Sequence, residues 1–383
     1  MKVLYLTGMY PTPAYPQKGI FCHEQVKALK EQGIDVDVVV PVTPYDKDHP
    51  PKVWEYEGVM VRYIRFFKIP GLFWFEKIGT FLYWALRLSG IKLAQYDVIH
   101  TDVPLPAGYA AMKISQKYGI PYVIHCHGLD VFLDEDYGQS KRYPKIAPRV
   151  DQVYLQANAI VGVSRKTLEN VQKRLDVASK CYVVYNGVDT QSFQPAEKAD
   201  RKELHILSVG NLIPLKGHDL TIQALGELMK EGCRNLRLDI YGRGEKEEAL
   251  KELVKDQNLE DCVSFKGYVP YSEVAQAMAR ADVFLLPSWY EAIGCVYLEA
   301  MASGMITIGC FKNGIDEVIV SGENGFLVKP HSVEDIVCTL KKIRQMTRED
   351  RQTMARKGRQ TVLEGFTWKA SAQTLAEVYN KLI

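Results

Sequence analysis

The chain has 383 residues, long enough for two sizeable cores, and its 47% apolar and 25% charged content is that of an ordinary soluble globular protein. A net charge of +2 excludes the strongly basic face of a dedicated nucleic-acid binder. The eight cysteines are scattered without a Cys-x-x-Cys pair, which argues against structural zinc and a disulfide framework and for a reducing cytoplasm.

The first residues, Met1-Lys-Val-Leu-Tyr-Leu-Thr-Gly8, form too short an apolar run for a signal peptide and read as a buried strand. Strands are predicted at 3–6, 35–40, 98–100, 122–126, 159–163 and 181–185, with helical patterns between them, as at 24–32 and 107–118. A polar stretch at 191–203 reads as a linker. Strands resume at 205–209, 237–241, 263–266, 283–286, 306–308 and 325–328, separated by helices such as 219–230 and 246–256. A last helix is expected over 367–382. Alternating strands and helices imply parallel sheets with covered faces, hence two Rossmann-like α/β domains facing a cleft. Ligands of such sheets sit beyond the carboxyl ends of the strands.

Residues 62–92 carry Phe66, Phe67, Phe73, Trp74, Phe75, Phe81, Tyr83 and Trp84, with six Lys or Arg and one acid, Glu76. Glu76 and Lys77 interrupt the segment too much for a transmembrane helix. A basic aromatic segment suits a membrane interface or a lipid-linked acceptor, and a buried helix of the first domain explains it equally well.

The most informative segment is Glu291-Ala-Ile-Gly-Cys-Val-Tyr-Leu-Glu299. A carboxylate accepts two hydrogen bonds at once and so can grip a vicinal diol. Two carboxylates can grip two diols, one on a sugar and one on a ribose. Between them the N–H groups of Gly294, Cys295 and Val296, at a helix start, suit a diphosphate. Two solvated glutamates on an ordinary amphipathic helix are the plain alternative.

This segment resembles the Glu-x7-Glu signature of retaining glycosyltransferases of family 4, which have the GT-B fold. Gly210-Asn-Leu-Ile-Pro-Leu-Lys216-Gly217 resembles that family's donor-phosphate loop. Asn186-Gly-Val-Asp189, His127-Gly-Leu-Asp130, Asp316-Glu-Val-Ile319 and Asn324-Gly-Phe-Leu-Val328 match other landmarks in order, so the likeness covers nearly the whole chain. It implies an acceptor domain at 1–190, a linker at 191–203, a donor domain at 204–365, and a helix at 366–383 that returns to the first domain.

The resemblance implies roles as well. Lys216 neutralises the departing diphosphate, Glu291 meets the transferred sugar, and Glu299 holds the ribose. His127 stands beside the anomeric centre, Gly19 lets backbone approach phosphate, and Asp130 orients its loop or meets the acceptor. Asn211 stands where the family usually has arginine. An amide carries no charge, so either diphosphate binding is weaker here or another cation substitutes, with Arg243 and Arg165 as the candidates. The turn at 267–269 holds the nucleobase. His125 and His127 alternate along a strand, but the sequence offers no third ligand nearby, and no metal or other cofactor is expected. The expected partners are a UDP- or GDP-sugar and a glycan or polyprenyl- or lipid-linked acceptor, with no nucleic acid. The expected location is the cytoplasm or the inner face of the plasma membrane. The expected activity is metal-independent retaining hexosyl transfer. The rival readings are a sugar-nucleotide epimerase or hydrolase and a non-catalytic partner subunit.

Overall fold

The structure is a computed structural model that describes residues 1–46, 49–67, 78–128, 143–197 and 203–383. The chain divides into two compact units, one made of Met1–Asn186 with Trp368–Ile383 and the other of Gly187–Thr367.

The first unit is built on eight strands: β1 (Lys2–Leu6), β2 (Asp35–Val42), β3 (Val53–Tyr56), β4 (Val59–Arg65), β5 (Val98–Thr101), β6 (Tyr122–Cys126), β7 (Ala159–Gly162) and β8 (Cys181–Val183). Their order is β3-β4-β2-β1-β5-β6-β7-β8. Only the β3–β4 pair is antiparallel. The central strands are buried on both faces, as Tyr5, Val38 and Val98 on one face and Leu4, Val39 and Ile99 on the other show. The helices α1 (Ile20–Glu31), α2 (Ile78–Leu88), α3 (Tyr109–Tyr118), α4 (Tyr143–Gln156) and α5 (Arg165–Gln172) belong to this unit. α5 starts with a capping box: Ser164 Oγ accepts the Thr167 N–H at 3.2 Å, and Thr167 Oγ1 accepts the Ser164 N–H at 3.3 Å.

The second unit is a six-stranded, wholly parallel sheet ordered β11-β10-β9-β12-β13-β14. Its strands are β9 (Leu204–Val209), β10 (Leu236–Tyr241), β11 (Val263–Gly267), β12 (Val283–Leu285), β13 (Ile306–Cys310) and β14 (Phe326–Val328). Its helices are α6 (His218–Lys230), α7 (Glu247–Asp256), α8 (Tyr271–Arg280), α9 (Cys295–Ala302), α10 (Val333–Gln345) and α11 (Arg348–Gly365). The last helix, α12 (Trp368–Asn380), is counted with the first unit, where Leu375, Val378 and Tyr379 join the core formed by β1, β2 and α1.

Two details differ from the sequence reading. The stretch from 62 onward is not one amphipathic segment. β4 runs through Arg65, and α2 begins at Ile78. Leu82 and Leu86 of α2 are buried, while Trp84 and Leu88 are 49% and 83% exposed. Residues 68–77, including Phe73, Trp74 and Phe75, lie outside the described residues. The expected linker is partly folded: the described residues from Gly187 belong to the second unit, and Phe193 is fully buried there with its ring edge-on to Tyr271. No helix among the described residues is long and apolar enough to cross a membrane.

Candidate active site

In the second unit, β9 and β12 are neighbours, but the chain leaves them toward opposite sides of the sheet. Loops beyond the carboxyl ends of two such strands diverge and leave a crevice. Lys216 lies in the loop after β9 and Glu291 in the loop after β12, and their side chains form an ion pair, both mostly buried. The backbone fixes this meeting. The Trp289 N–H donates to the Leu215 carbonyl at 3.2 Å, and the Ser288 hydroxyl donates to the same oxygen at 2.9 Å. Asn313, in the loop after β13, is buried. Its Oδ1 accepts the Glu291 N–H at 3.1 Å, and its Nδ2 donates to the Ser288 carbonyl at 2.6 Å. Asn313 was not anticipated from the sequence.

α9 begins against this pair. Gly294 precedes it with φ 72° and ψ 85°. A Cβ at Gly294 would stand 2.7 Å from the Tyr297 ring and 3.6 Å from Glu291 Cδ, so the site requires glycine there. Cys295 and Val296 form the first turn, where backbone N–H groups and the positive end of the helix dipole favour an anion. Tyr297 ties the helix to the loop by donating to the Leu286 carbonyl at 2.7 Å. Glu299, in the second turn of α9, is 8% exposed and accepts the Tyr271 hydroxyl at 2.7 Å. Burial raises its carboxyl to about 7, and the Tyr271 bond opposes that rise.

Asn211 and Arg243 are exposed residues on the adjacent loops after β9 and β10. These loops are bound together by the Gly210 N–H to the Tyr241 carbonyl and the Leu212 N–H to the Arg243 carbonyl, each 3.0 Å. Arg243 therefore stands beside the position that lacks a cation. Its Nε lies 3.8 Å from where a Cβ on Gly267 would be, over the turn expected to hold a base. His218 follows Lys216 by two residues and shares a 3.1 Å hydrogen bond with Ser208. Burial and the Lys216 charge lower its imidazole to about 4, so it is neutral.

In the first unit the strand order reverses at β1 and β5. Gly19 follows β1 and precedes α1 with φ 63°. A Cβ there would lie 2.3 Å from the Met9 carbonyl. His127 follows β6, and its Nε2 is 3.1 Å from Asp102 Oδ1, just beyond β5. Asp102 is fully buried and also accepts the Tyr5 hydroxyl at 3.1 Å. Its sequence context gave no signal. Asp130 lies outside the described residues, and Arg165 is exposed at the start of α5. A cavity of about 810 Å³ opens at the other end of the second sheet, beside Leu204, Asn235, Asp282, Arg344, Arg348 and Arg351. None of the expected site residues lines it.

Two family models match, Glycosyltransferase Family 4 over residues 19–192 and Glycosyl transferases group 1 over residues 189–361. WcaL of Escherichia coli, a protein named for colanic acid biosynthesis, is 28% identical over 286 residues, 72% of this chain and 69% of its own. A D-inositol 3-phosphate glycosyltransferase from a Nocardioides species is 26% identical over 94% of this chain and 84% of its own. Among solved structures, Anabaena HepE in complex with UDP-glucose superposes with a TM-score of 0.73 at 19% identity, all of both chains being covered. The loops after β9 and β12, the start of α9 and two consecutive family matches together identify the chain as a glycosyltransferase of family 4, group 1, with the GT-B fold.

Proposed function

We propose that the protein is a retaining transferase that moves a hexose from a nucleoside diphosphate sugar to a hydroxyl of a glycan or lipid-linked acceptor in cell-surface polysaccharide synthesis. The observation that carries this reading is the Lys216–Glu291 ion pair at the start of α9, with the buried Glu299 behind it. The pair is a cation and an anion at the point where a sugar phosphate presents an anion and a diol. On donor binding Lys216 turns to the diphosphate and Glu291 to the sugar hydroxyls. Glu299 takes the ribose diol, and Arg243 supplies the charge that Asn211 lacks.

As the bond from the anomeric carbon to the phosphate oxygen breaks, the electron pair stays on the diphosphate. Lys216 and the start of α9 stabilise the charge that develops there. The acceptor oxygen bonds to the anomeric carbon from the same face, and a donor phosphate oxygen takes its proton. Lys216 supplies the positive charge, so the donor phosphates need no metal ion. The UDP-glucose bound to HepE supports a nucleoside diphosphate hexose as donor, and the name of WcaL supports a polysaccharide product. The exposed Trp84 and Leu88 of α2, with Arg87 stacked 5.0 Å over the Trp84 ring, support a peripheral contact with lipid.

A thermal-shift panel of UDP- and GDP-hexoses, with and without EDTA, tests this. A ligand that binds only the folded chain raises its melting temperature. One donor should produce a shift that EDTA leaves in place and Glu299→Ala abolishes, and the product made from it should keep the donor's anomeric configuration by NMR. The absence of a shift with every donor would sink the reading.

A further inference from the structure

Below His127, the ends of β5 and β6 bring imidazoles and a carboxylate into the core of the first unit. His100, Asp102 and His125 are all fully buried. One donor atom from each lies within 4.8 Å of the other two. His100 Nε2 is 3.5 Å from Asp102 Oδ1, and the His100 and His125 rings meet edge to face with centroids 5.3 Å apart. Neither ring nitrogen of His125 has a hydrogen-bond partner, and neither does Nε2 of His100. Polar atoms this deeply buried are normally satisfied, because leaving one without a partner forfeits its hydration with no return. Each neutral ring has one lone-pair nitrogen, so Nε2 of His100 and one nitrogen of His125, set beside a carboxylate, suit an occupant that accepts nitrogen lone pairs.

The three groups are one carboxylate and two imidazoles, donor types that a transition-metal ion accepts. The surroundings orient them. Tyr379 Oη is 2.7 Å from His100 Nδ1, which leaves Nε2 as the inward atom, and the Tyr5 hydroxyl fixes Asp102.

We propose that His100, Asp102 and His125 bind a structural zinc ion at the carboxyl ends of β5 and β6. Ligand atoms around tetrahedral zinc stand roughly 3.3 Å apart, so the His100–Asp102 pair is already spaced for it and His125 closes by a small side-chain rotation. Cys22 and His127 also meet this carboxylate, at Oδ2 and Oδ1 respectively. The scattered cysteines argue only against thiolate-rich zinc sites, and the third ligand that the His125–His127 pair lacked in sequence comes from the loop after β5. The ion would lie on a different unit from Lys216 and Glu291, and it does not depend on the donor chemistry.

The test is metal content. Full-length protein without a polyhistidine tag, expressed with zinc and dialysed against EDTA, should retain about one zinc per chain by mass spectrometry. His125→Leu should retain little. The same variant separates an ion from a dry cluster by stability. Without an ion, Leu replaces an unsatisfied imidazole and the melting temperature rises or holds. With one, it falls. If His125→Leu does not fold, the wild type decides: unfolded with a chelator and refolded with Co2+, it should show the visible bands of tetrahedral cobalt and lose them to zinc. A wild type with under about a tenth of an equivalent of zinc and no cobalt bands would overturn the proposal and leave water as the occupant. Equal zinc in wild type and His125→Leu would overturn it too, because the ion would then lie elsewhere.

Discussion

Lys216 and Glu291, 75 residues apart, form an ion pair across the crevice where the second sheet reverses its strand order. Each neutralises the other before any ligand arrives, so a mostly buried lysine and a mostly buried glutamate are both tolerated. Replacing Lys216 by Ala removes the cation facing the leaving diphosphate and strands Glu291. The expected loss in kcat is about 10²-fold or more, comparable to deleting one oxyanion-stabilising donor. Lys216→Arg should keep part of the activity. Steady-state kinetics with the donor found by thermal shift measure this, and an unchanged kcat in Lys216→Ala would remove Lys216 from the chemistry.

Glu299 makes donor binding depend on pH near neutrality. Its carboxyl is raised from 4.5 to about 7 by burial. A raised pKa means that the folded state holds the proton more tightly than the unfolded one. Its stability contribution is therefore fully present below pH 4.5 and is lost as pH rises to 7, by roughly 3 kcal/mol. Only the carboxylate accepts both ribose hydroxyls, so donor affinity moves the other way and should strengthen about tenfold from pH 6 to pH 8. Calorimetric titration across that range should give a flat, weaker profile for Glu299→Gln. That variant should also be the more stable protein above pH 7.

Asn313 bridges the Glu291 N–H and the Ser288 carbonyl from the loop after β13. Asn313→Ala orphans both groups and should cost about 1–3 kcal/mol of stability in a denaturant titration. Asn313→Asp can still accept from Glu291 but cannot donate to Ser288, so it should fall between the two. Because the bridge holds the glutamate's own backbone, kcat/KM should drop further in Asn313→Ala than the stability loss alone accounts for at a temperature where the variant is folded. A variant with wild-type turnover would show that the loop keeps its shape without this residue.

The outer face of α2 should bind lipid. Trp84 and Leu88 are exposed and Arg87 lies over the Trp84 ring. Wild-type protein should co-sediment with vesicles containing anionic phospholipid, and the double change Trp84→Ser with Leu88→Ser should reduce this several-fold while leaving the fold intact. Equal sedimentation of both proteins would assign this face another use.

Most of the sheet topology was legible because parallel strands buried on both faces read as short apolar runs, as in Val3–Leu6 or Val283–Leu285. The β3–β4 hairpin was not. Val59–Arg65 alternates buried and exposed residues, and its turn carries Glu57 and Gly58 at φ 43° and 76°, a pair that turns a two-residue hairpin. The aromatic and basic residues that begin at 62 drew the segment into a longer amphipathic pattern and hid the period of two. In the site, Lys216, Glu291, Gly294 and Glu299 could be found because a motif spaces them along the chain. Asp102, Asn313 and Tyr271 could not, because each acts on a residue 22 to 28 positions away through a single hydrogen bond, and one polar residue in a loop leaves no pattern.

α12 gives the molecule an order of assembly opposite to its order of synthesis. Tyr379 is fully buried in the first unit and reaches back to His100, 279 residues earlier. The apolar surface of α1 that α12 covers stays bare until α12 itself has left the ribosome, whereas the second unit, Gly187–Thr367, is translated as one continuous stretch. The unit begun first is thus completed only after the second has been made. Cutting the chain before Trp368 would fall on the first unit rather than on the second, exposing a hydrophobic strip to chaperones and proteases.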